Sequence, residues 1–204
     1  MATRQFPASQ TGKSPPGRVR IVAGKWRGRR LPIAREPHLR PTSERIRETV
    51  FNWLAPIVEG SRCLDLFAGT GVLGLEALSR GAAGVIFVER SALAIQALRE
   101  SIDLLDAENA TVHVGDAVTF LKESAPHPRD IVFLDPPFRD ASLGELCRLL
   151  DCAGWLAAGA SIYLEQDRRQ PRPALPDGWI VKREKQAGNV RYALVSVSRR
   201  DGQE

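Results

Sequence analysis

The chain has 204 residues, 43% of them hydrophobic and 26% charged, which is the balance of a globular protein with one sizeable core. No apolar run approaches the roughly 20 residues that cross a bilayer, and the first residues lack the apolar centre of a signal peptide, so a cytoplasmic protein without membrane contact is expected. The formal net charge of +5 hides an asymmetry: residues 1–47 hold 12 Lys+Arg against 2 Asp+Glu, and residues 48–204 hold 17 against 22.

Residues 1–17 are rich in Ser, Thr, Gln, Pro and Gly with almost no apolar periodicity, and read as a disordered tail. From Arg18 to Ile33, two short strand-like runs flank Gly24-Lys-Trp-Arg-Gly28, which predicts a small basic β-hairpin. Arg18, Arg20, Lys25, Arg27, Arg29 and Arg30 gather there around Trp26. Cations for phosphates beside an aromatic for base stacking suit RNA; the plainer alternative is a solvated hairpin with Trp26 packed on the domain. Removing residues 18–30 is therefore expected to weaken RNA binding. Pro41, Thr42 and Ser43 ahead of Glu44 signal a helix start. Ile46, Val50, Phe51 and Leu54 supply its apolar face, with Arg45 and Arg47 pointing elsewhere.

Strands are then expected at 62–67, 84–89, 111–115, 131–135 and 160–165, with helices at 72–80, 91–105, 117–123 and 142–152 between them. This alternation predicts a doubly wound, mostly parallel sheet that binds its ligand at the strands' C-terminal ends. Runs at 179–185 and 190–197 around Gln186-Ala-Gly-Asn189 read as a closing hairpin.

The corner at Leu64-Asp-Leu-Phe-Ala-Gly-Thr-Gly71 joins a buried strand to a helix through glycines, which let backbone pass close under a ligand. Gly69, Gly71 and Gly74 also spell GxGxxG, so a nicotinamide or flavin enzyme is the first rival. Asp65 argues against it, because a carboxylate there would repel a pyrophosphate but would pair with an ammonium. Glu89 and Asp116 end the next two strands, Glu89 standing where α/β folds place a ribose-binding acid. The run Ile131-Val-Phe-Leu then stops at Asp135-Pro136-Pro137-Phe138. Proline lacks an N–H and forces the chain out of the sheet, leaving the Asp135 carboxylate and the Pro136 carbonyl as neighbouring acceptors. With the Phe138 ring beside them, they suit a flat group bearing an NH2.

Asp65 to Gly71 followed by Asp-Pro-Pro-Phe resembles the class I S-adenosylmethionine-dependent amino-methyltransferases. With the flanks Arg20-Ile-Val-Ala-Gly-Lys-Trp-Arg-Gly-Arg-Arg-Leu31, Arg40-Pro-Thr-Ser-Glu-Arg-Ile-Arg-Glu-Thr-Val-Phe-Asn-Trp-Leu54 and Gly74-Leu-Glu-Ala-Leu-Ser-Arg-Gly81, the resemblance is to the bacterial RsmD family and spans residues 18–197. That family methylates a guanine N2 in 16S ribosomal RNA of the assembled small subunit. The resemblance implies a seven-stranded Rossmann-like sheet whose last strand is antiparallel. Behind the tail (1–17), which it does not include, it implies a basic RNA-binding extension (18–41) and a methyltransferase domain (42–204). It further implies that Phe67, Ala68, Gly69, Thr70 and Gly71 surround the methionine part of S-adenosylmethionine, with Asp65 toward its ammonium. Glu89, with Arg90 beside it, would take the ribose, and Asp116 and Ala117 the adenine; the alternative for such strand-end acids is to cap the next helix or to face solvent. Asp135, Pro136 and Phe138 would hold the target base beside the cofactor, and Arg40, Arg45 and Arg47 would meet the substrate near the mouth of the site, the alternative for these three being ordinary surface charge.

Cys63, Cys147 and Cys152 form no CxxC pair, and His38, His113 and His127 show no zinc spacing with them, so no metal is expected. A monomer is expected. Asp-Pro-Pro-Phe alone does not choose among amino groups, which leaves DNA adenine-N6 methylation as the alternative reaction. A non-catalytic RNA-binding assembly factor is the alternative class.

Overall fold

A computed structural model of the chain describes residues 17–34, 42–137 and 143–198. The expected tail, Arg40 and Phe138 lie outside the described residues. Nine strands and five helices are described: β1 (Arg18–Arg20), β2 (Arg30–Pro32), α1 (Glu44–Leu54), β3 (Arg62–Asp65), α2 (Val72–Ser79), β4 (Gly84–Glu89), α3 (Ala92–Leu105), β5 (Ala110–Val114), α4 (Ala117–Glu123), β6 (Arg129–Leu134), α5 (Leu143–Cys152), β7 (Leu156–Asp167), β8 (Trp179–Ala187) and β9 (Val190–Val197).

Strands β3 to β9 form one sheet in the order β5-β4-β3-β6-β7-β9-β8. Neighbours among β3 to β7 are parallel, and β9 runs against both β7 and β8, so the last strand in the chain is the reversed one. The chain builds outward from β3 to β5, then returns to place β6 on the other side of β3. That reversal opens a crevice at the C-terminal ends of β3 and β6, the usual ligand position in such sheets. Strand β6 stops at Leu134, one residue short of the expected end, because Pro136 and Pro137 have no N–H for the ladder.

Alternation along the strands sorts the core into two faces. Leu64, Leu66, Val88, Val132, Leu134, Ile162 and Leu164 pack with α4 and α5 on one side. Cys63, Val85, Phe87, Ile131, Phe133 and Tyr163 pack with α1, α2 and α3 on the other. Continuing that second face by the same period of two brings Asp65, Glu89, Asp135 and Glu165 to one end of the sheet on one side.

Helix α1 begins as expected, with the Ser43 hydroxyl accepting from the Ile46 N–H, and seats Phe51 with its ring centroid 5.9 Å from that of Phe133. Helix α2 is buried at every position from Val72 to Ser79, since the sheet covers one side and the β1–β2 hairpin the other. The extension therefore shares the main core: Ile21, Trp26 and Leu31 are buried with α1 and α2. Gly24 makes this docking possible. At φ 82° it lies so close to α2 that a Cβ would sit 1.8 Å from the Ser79 carbonyl oxygen.

Candidate active site

The glycine turn after β3 passes over a buried carboxyl. Asp65 is 1% exposed, and its Oδ2 accepts from the Gly74 N–H at 3.2 Å. Burial pushes its pKa up to about 7, with the charge of Glu89 adding and the N–H groups of Gly74 and Phe67 opposing. Gly71 ends the turn at φ 77°, where a Cβ would meet the Leu98 side chain at 2.3 Å. Within the turn Thr70 is buried and its Oγ1 has no hydrogen-bond partner, a polar atom left for something the chain itself does not supply.

Glu89 ends β4 against this turn. Its Oε2 accepts from the Gly69 N–H at 2.7 Å, and its Oε1 from the N–H groups of Arg90 at 2.9 Å and Ser91 at 2.8 Å. A carboxylate offers about four acceptor positions, so one remains open on a group whose orientation is fixed by backbone. Asp116 caps α4, its Oδ1 accepting from Val118 at 2.9 Å and Thr119 at 3.2 Å. Its other oxygen stands 4.0 Å from the Arg90 guanidinium.

Asp135 leaves the end of β6 half-buried, one strand over from Asp65. Thr42 Oγ1 donates to its Oδ2 at 3.3 Å, and Pro136 is buried behind it while Pro137 is exposed. Burial, then the charges of Glu165 and Asp65, raise the Asp135 carboxyl well above the ordinary carboxylate range. Glu165, on β7, is 5% exposed and accepts from the Tyr163 hydroxyl at 2.5 Å. Among the described residues no Lys or Arg pairs with Asp65, Asp135 or Glu165. Three buried or half-buried carboxyls without a protein cation fit a cationic guest. No group of three such side chains among the described residues is placed to hold a metal ion.

Thr42, Tyr163 and Glu165 were not among the expected site residues. Glu165 carries the same signal as Asp65 and Glu89, an acid at the end of an apolar strand. Thr42 was readable only as part of a helix cap. Ser43 takes the cap and leaves Thr42 to the site.

The basic set divides. Arg18, Arg20, Lys25, Arg27, Arg29, Arg30 and Arg45 are exposed, although Arg20 pairs with Glu44 at 2.9 Å and Arg29 donates to the Leu104 carbonyl at 2.9 Å. Trp26 is 8% exposed and its ring is used in the core, so it offers no face for a base to stack on, and the plainer alternative holds for it. Arg47 is corrected too, at 0% exposure. It sits one residue from the apolar Ile46 and is drawn inward by Glu76, whose Oε2 accepts from it at 3.1 Å. It also donates to the carbonyls of Thr42 at 3.2 Å and Arg20 at 2.8 Å. Glu76 is saturated by further bonds from the N–H groups of Val22 and Ala23 and from Arg80. Arg47 thus ties hairpin, helix and active-site entrance together and does not meet a substrate. The buried thiols of Cys63 and Cys147 are each pushed up to about 12 by burial, which makes them poor nucleophiles.

The family model described as "Conserved hypothetical protein 95" matches residues 19–196. The ribosomal RNA small subunit methyltransferase D of Escherichia coli (strain K12) is 48% identical, covering 87% of this chain and 89% of that protein. The protein of the same name from Haemophilus influenzae is 42% identical over 87% of this chain and 93% of its own length. The solved structure of yhhF from Escherichia coli superposes with a TM-score of 0.82 at 46% identity, over 89% of this chain and 99% of that one. The family match runs from the basic hairpin into the reversed last strand and takes in Asp65, Glu89, Asp116, Asp135 and Glu165. The chain belongs to the RsmD family of class I methyltransferases.

Proposed function

We propose that this chain transfers the methyl group of S-adenosylmethionine to the exocyclic N2 of a guanine in 16S ribosomal RNA, acting on the small ribosomal subunit as an assembled particle. The observation that carries the reading is the meeting, at one end of the sheet, of the Asp65–Glu89 glycine corner with an amine-accepting Asp135 whose backbone is stopped by two prolines. S-adenosylmethionine, when bound, supplies a methyl carbon made electrophilic by its sulfonium. The unpaired carboxyls, the orphaned Thr70 hydroxyl and the close glycine turn fit that cation. Asp65 faces its ammonium, Glu89 with its open acceptor position takes a ribose hydroxyl, and Asp116 with Arg90 borders the adenine.

A guanine N2 is a weak nucleophile because its lone pair is delocalised into the ring. Asp135 and the Pro136 carbonyl accept its two N–H bonds and hold the nitrogen in line, Phe138 stacks on the base, and the negative carboxylate favours the positive charge that develops on nitrogen. Positioning of this kind is worth about 7–11 kcal/mol. The exposed hairpin cations, with Arg45 on α1, contact phosphates around a base turned out of its stack.

The test is incubation with labelled S-adenosylmethionine and, in parallel, small subunits from a strain lacking its own enzyme, free 16S RNA, and DNA, followed by nucleoside digestion. N2-methylguanosine from the particle, with little label in free RNA, is the expected result. N6-methyladenine from DNA would overturn the substrate. RNA binding without methyl transfer would make the chain an assembly factor.

A further inference from the structure

Residues 48–204 hold more acids than bases as a whole, yet the stretch from Arg168 to Arg191 runs the other way, with seven Lys+Arg against Asp177 and Glu184. Three of its arginines hold the β7–β8 loop in place. Arg169 pairs with Asp167, Arg172 pairs with Glu184 at 2.7 Å, and Arg191 donates to the carbonyls of Arg168 and Gln170, both at 2.9 Å. Arg183 and Lys185 on β8 are different. Both are exposed, and among the described residues neither pairs with an acid.

The register of the sheet decides where these two cations lie. Val181 is paired with Val195, and a bulge at Lys182 then sets Arg183 opposite Leu194 and Lys185 opposite Tyr192. Residues directly opposite in an antiparallel pair share a face. Leu194 and Tyr192 belong to the face of Phe133 and Tyr163, the one that ends in Asp135 and Glu165. Without the bulge the period of two would turn Lys182 and Glu184 to this face; with it, Glu184 turns to the other face and two cations take the near one. Tyr192 also pairs with Glu165, and Asp135 leaves β6 beside Glu165 because Leu134 pairs with Leu164. Asp135, Glu165, Tyr192 and Lys185 thus make one row across four neighbouring strands, with Lys185 about 14 Å from Asp135 at the usual strand spacing. Helix α1 reaches over this row as far as Tyr192, on whose ring Trp53 stacks at 5.5 Å between centroids. Beyond it, β8 is the edge of the sheet.

We propose that this outer part of the sheet face, with Arg183 and Lys185, is a second RNA-contacting surface, which holds phosphates of the single strand running on from the base at Asp135. The hairpin cations lie toward the opposite edge. The hairpin is docked on α2, α2 packs on β3 and β4, and β6 stands between β3 and β7. A base turned out of its stack at the end of β6 therefore has a basic surface toward each edge of the sheet, one for the strand on either side of it. Phosphate contacts of this kind fix the register and orientation of a nucleic acid without reading its sequence. The plainer account is that charges on an edge strand keep it from pairing with another chain. That role is indifferent to the face a side chain takes, whereas the bulge gathers both cations on the side of Asp135 and turns the acid away.

The inference rests on the reading that ribosomal RNA presents its amine at Asp135, and its test separates the two. Full-length Arg183→Gln/Lys185→Gln is compared with Lys122→Gln/Arg148→Gln, which removes the same charge from exposed positions of α4 and α5 on the other face of the sheet. Binding to small subunits is measured across a salt series, alongside KM and kcat for N2-methylguanosine formation. The β8 variant is expected to bind subunits roughly 10-fold more weakly, with KM raised to match, kcat within about twofold and S-adenosylmethionine affinity and melting temperature unchanged. Its salt dependence should flatten by about 1.4 units of logarithmic slope, 0.7 for each single-strand phosphate released. The control variant should match wild type in all of these. Equal affinities and slopes for the two variants would overturn the proposal, and a β8 variant that self-associates while its monomer keeps the wild-type affinity and slope would assign these charges to edge protection. If the β8 variant loses subunit affinity but the wild-type protein forms no N2-methylguanosine, the surface stands and the reaction reading falls. N2-methylguanosine formed by the β8 variant at an unchanged KM leaves the reaction standing and removes the surface.

Discussion

At Asp65 the fold buries a carboxyl under a glycine turn and gives it the Gly74 N–H but no cation. The cost appears in its pKa, raised from an ordinary 3.8 to about 7. Between those values the folded chain holds a proton that the unfolded chain has lost, so stability falls as pH rises through that window and the full penalty is present above it. Asp65→Asn removes the charge while its amide oxygen can still accept from Gly74. Thermal melts should show the variant more stable than wild type at pH 8, by on the order of a few kcal/mol at most, with a flatter dependence between pH 4 and 7. Calorimetry should show S-adenosylmethionine binding weakened at least about tenfold, about 1.4 kcal/mol. An unchanged pH dependence of stability would contradict the assignment. Asp65, Glu89 and Asp135 were legible in the sequence because each is an acid where an apolar strand stops. Thr42 was not, since its role depends on how α1 sits over β6 and β7, a tertiary relation that no local pattern encodes.

Among the elements, the β1–β2 hairpin and α2 depend on one another. Glu76 accepts four hydrogen bonds, two from hairpin N–H groups and two from arginines. Removing one partner of a buried pair leaves an uncompensated charge, at about 3–5 kcal/mol. Arg47→Ala is therefore expected to lower the melting temperature by about 10 °C and, by freeing the Thr42 carbonyl, to reduce kcat. Arg45→Ala, on the exposed side of the same helix, should leave the melting temperature where it was. Equal melting temperatures for the two variants would contradict the structural role given to Arg47. The hairpin's existence was readable from its glycines and short apolar runs, whereas its burial was not: charge dominates its composition, and only the docking against α2 shows that Ile21, Trp26 and Leu31 face inward. Deleting residues 18–30 would thus strip cover from α2 and unsatisfy Glu76, and is no clean probe of RNA binding.

For the molecule as a whole, the sheet order and the reversed β9 follow from rules of connection that sequence patterning already satisfied: alternating strands and helices, then a terminal hairpin. What the arrangement adds is placement: Asp65, Glu89 and Asp135 come to one end of the sheet, and the basic hairpin is docked on α1 and α2. Replacing Arg18, Lys25, Arg27 and Arg30 by Gln should raise KM for the small subunit and flatten its salt dependence by about one unit of logarithmic slope for each phosphate no longer neutralised, with melting temperature and cofactor affinity unchanged. A KM independent of these charges would remove the hairpin from the RNA interface. The measurement that bears most directly on the whole account is the single-turnover rate of N2-methylguanosine formation by Asp135→Ala on small subunits at saturating S-adenosylmethionine, with cofactor affinity measured on the same preparation. A rate at least about 100-fold below wild type with affinity largely retained is the predicted result. A variant that methylates guanine as fast as wild type would show that the amine is not held at Asp135 and would contradict the proposed site.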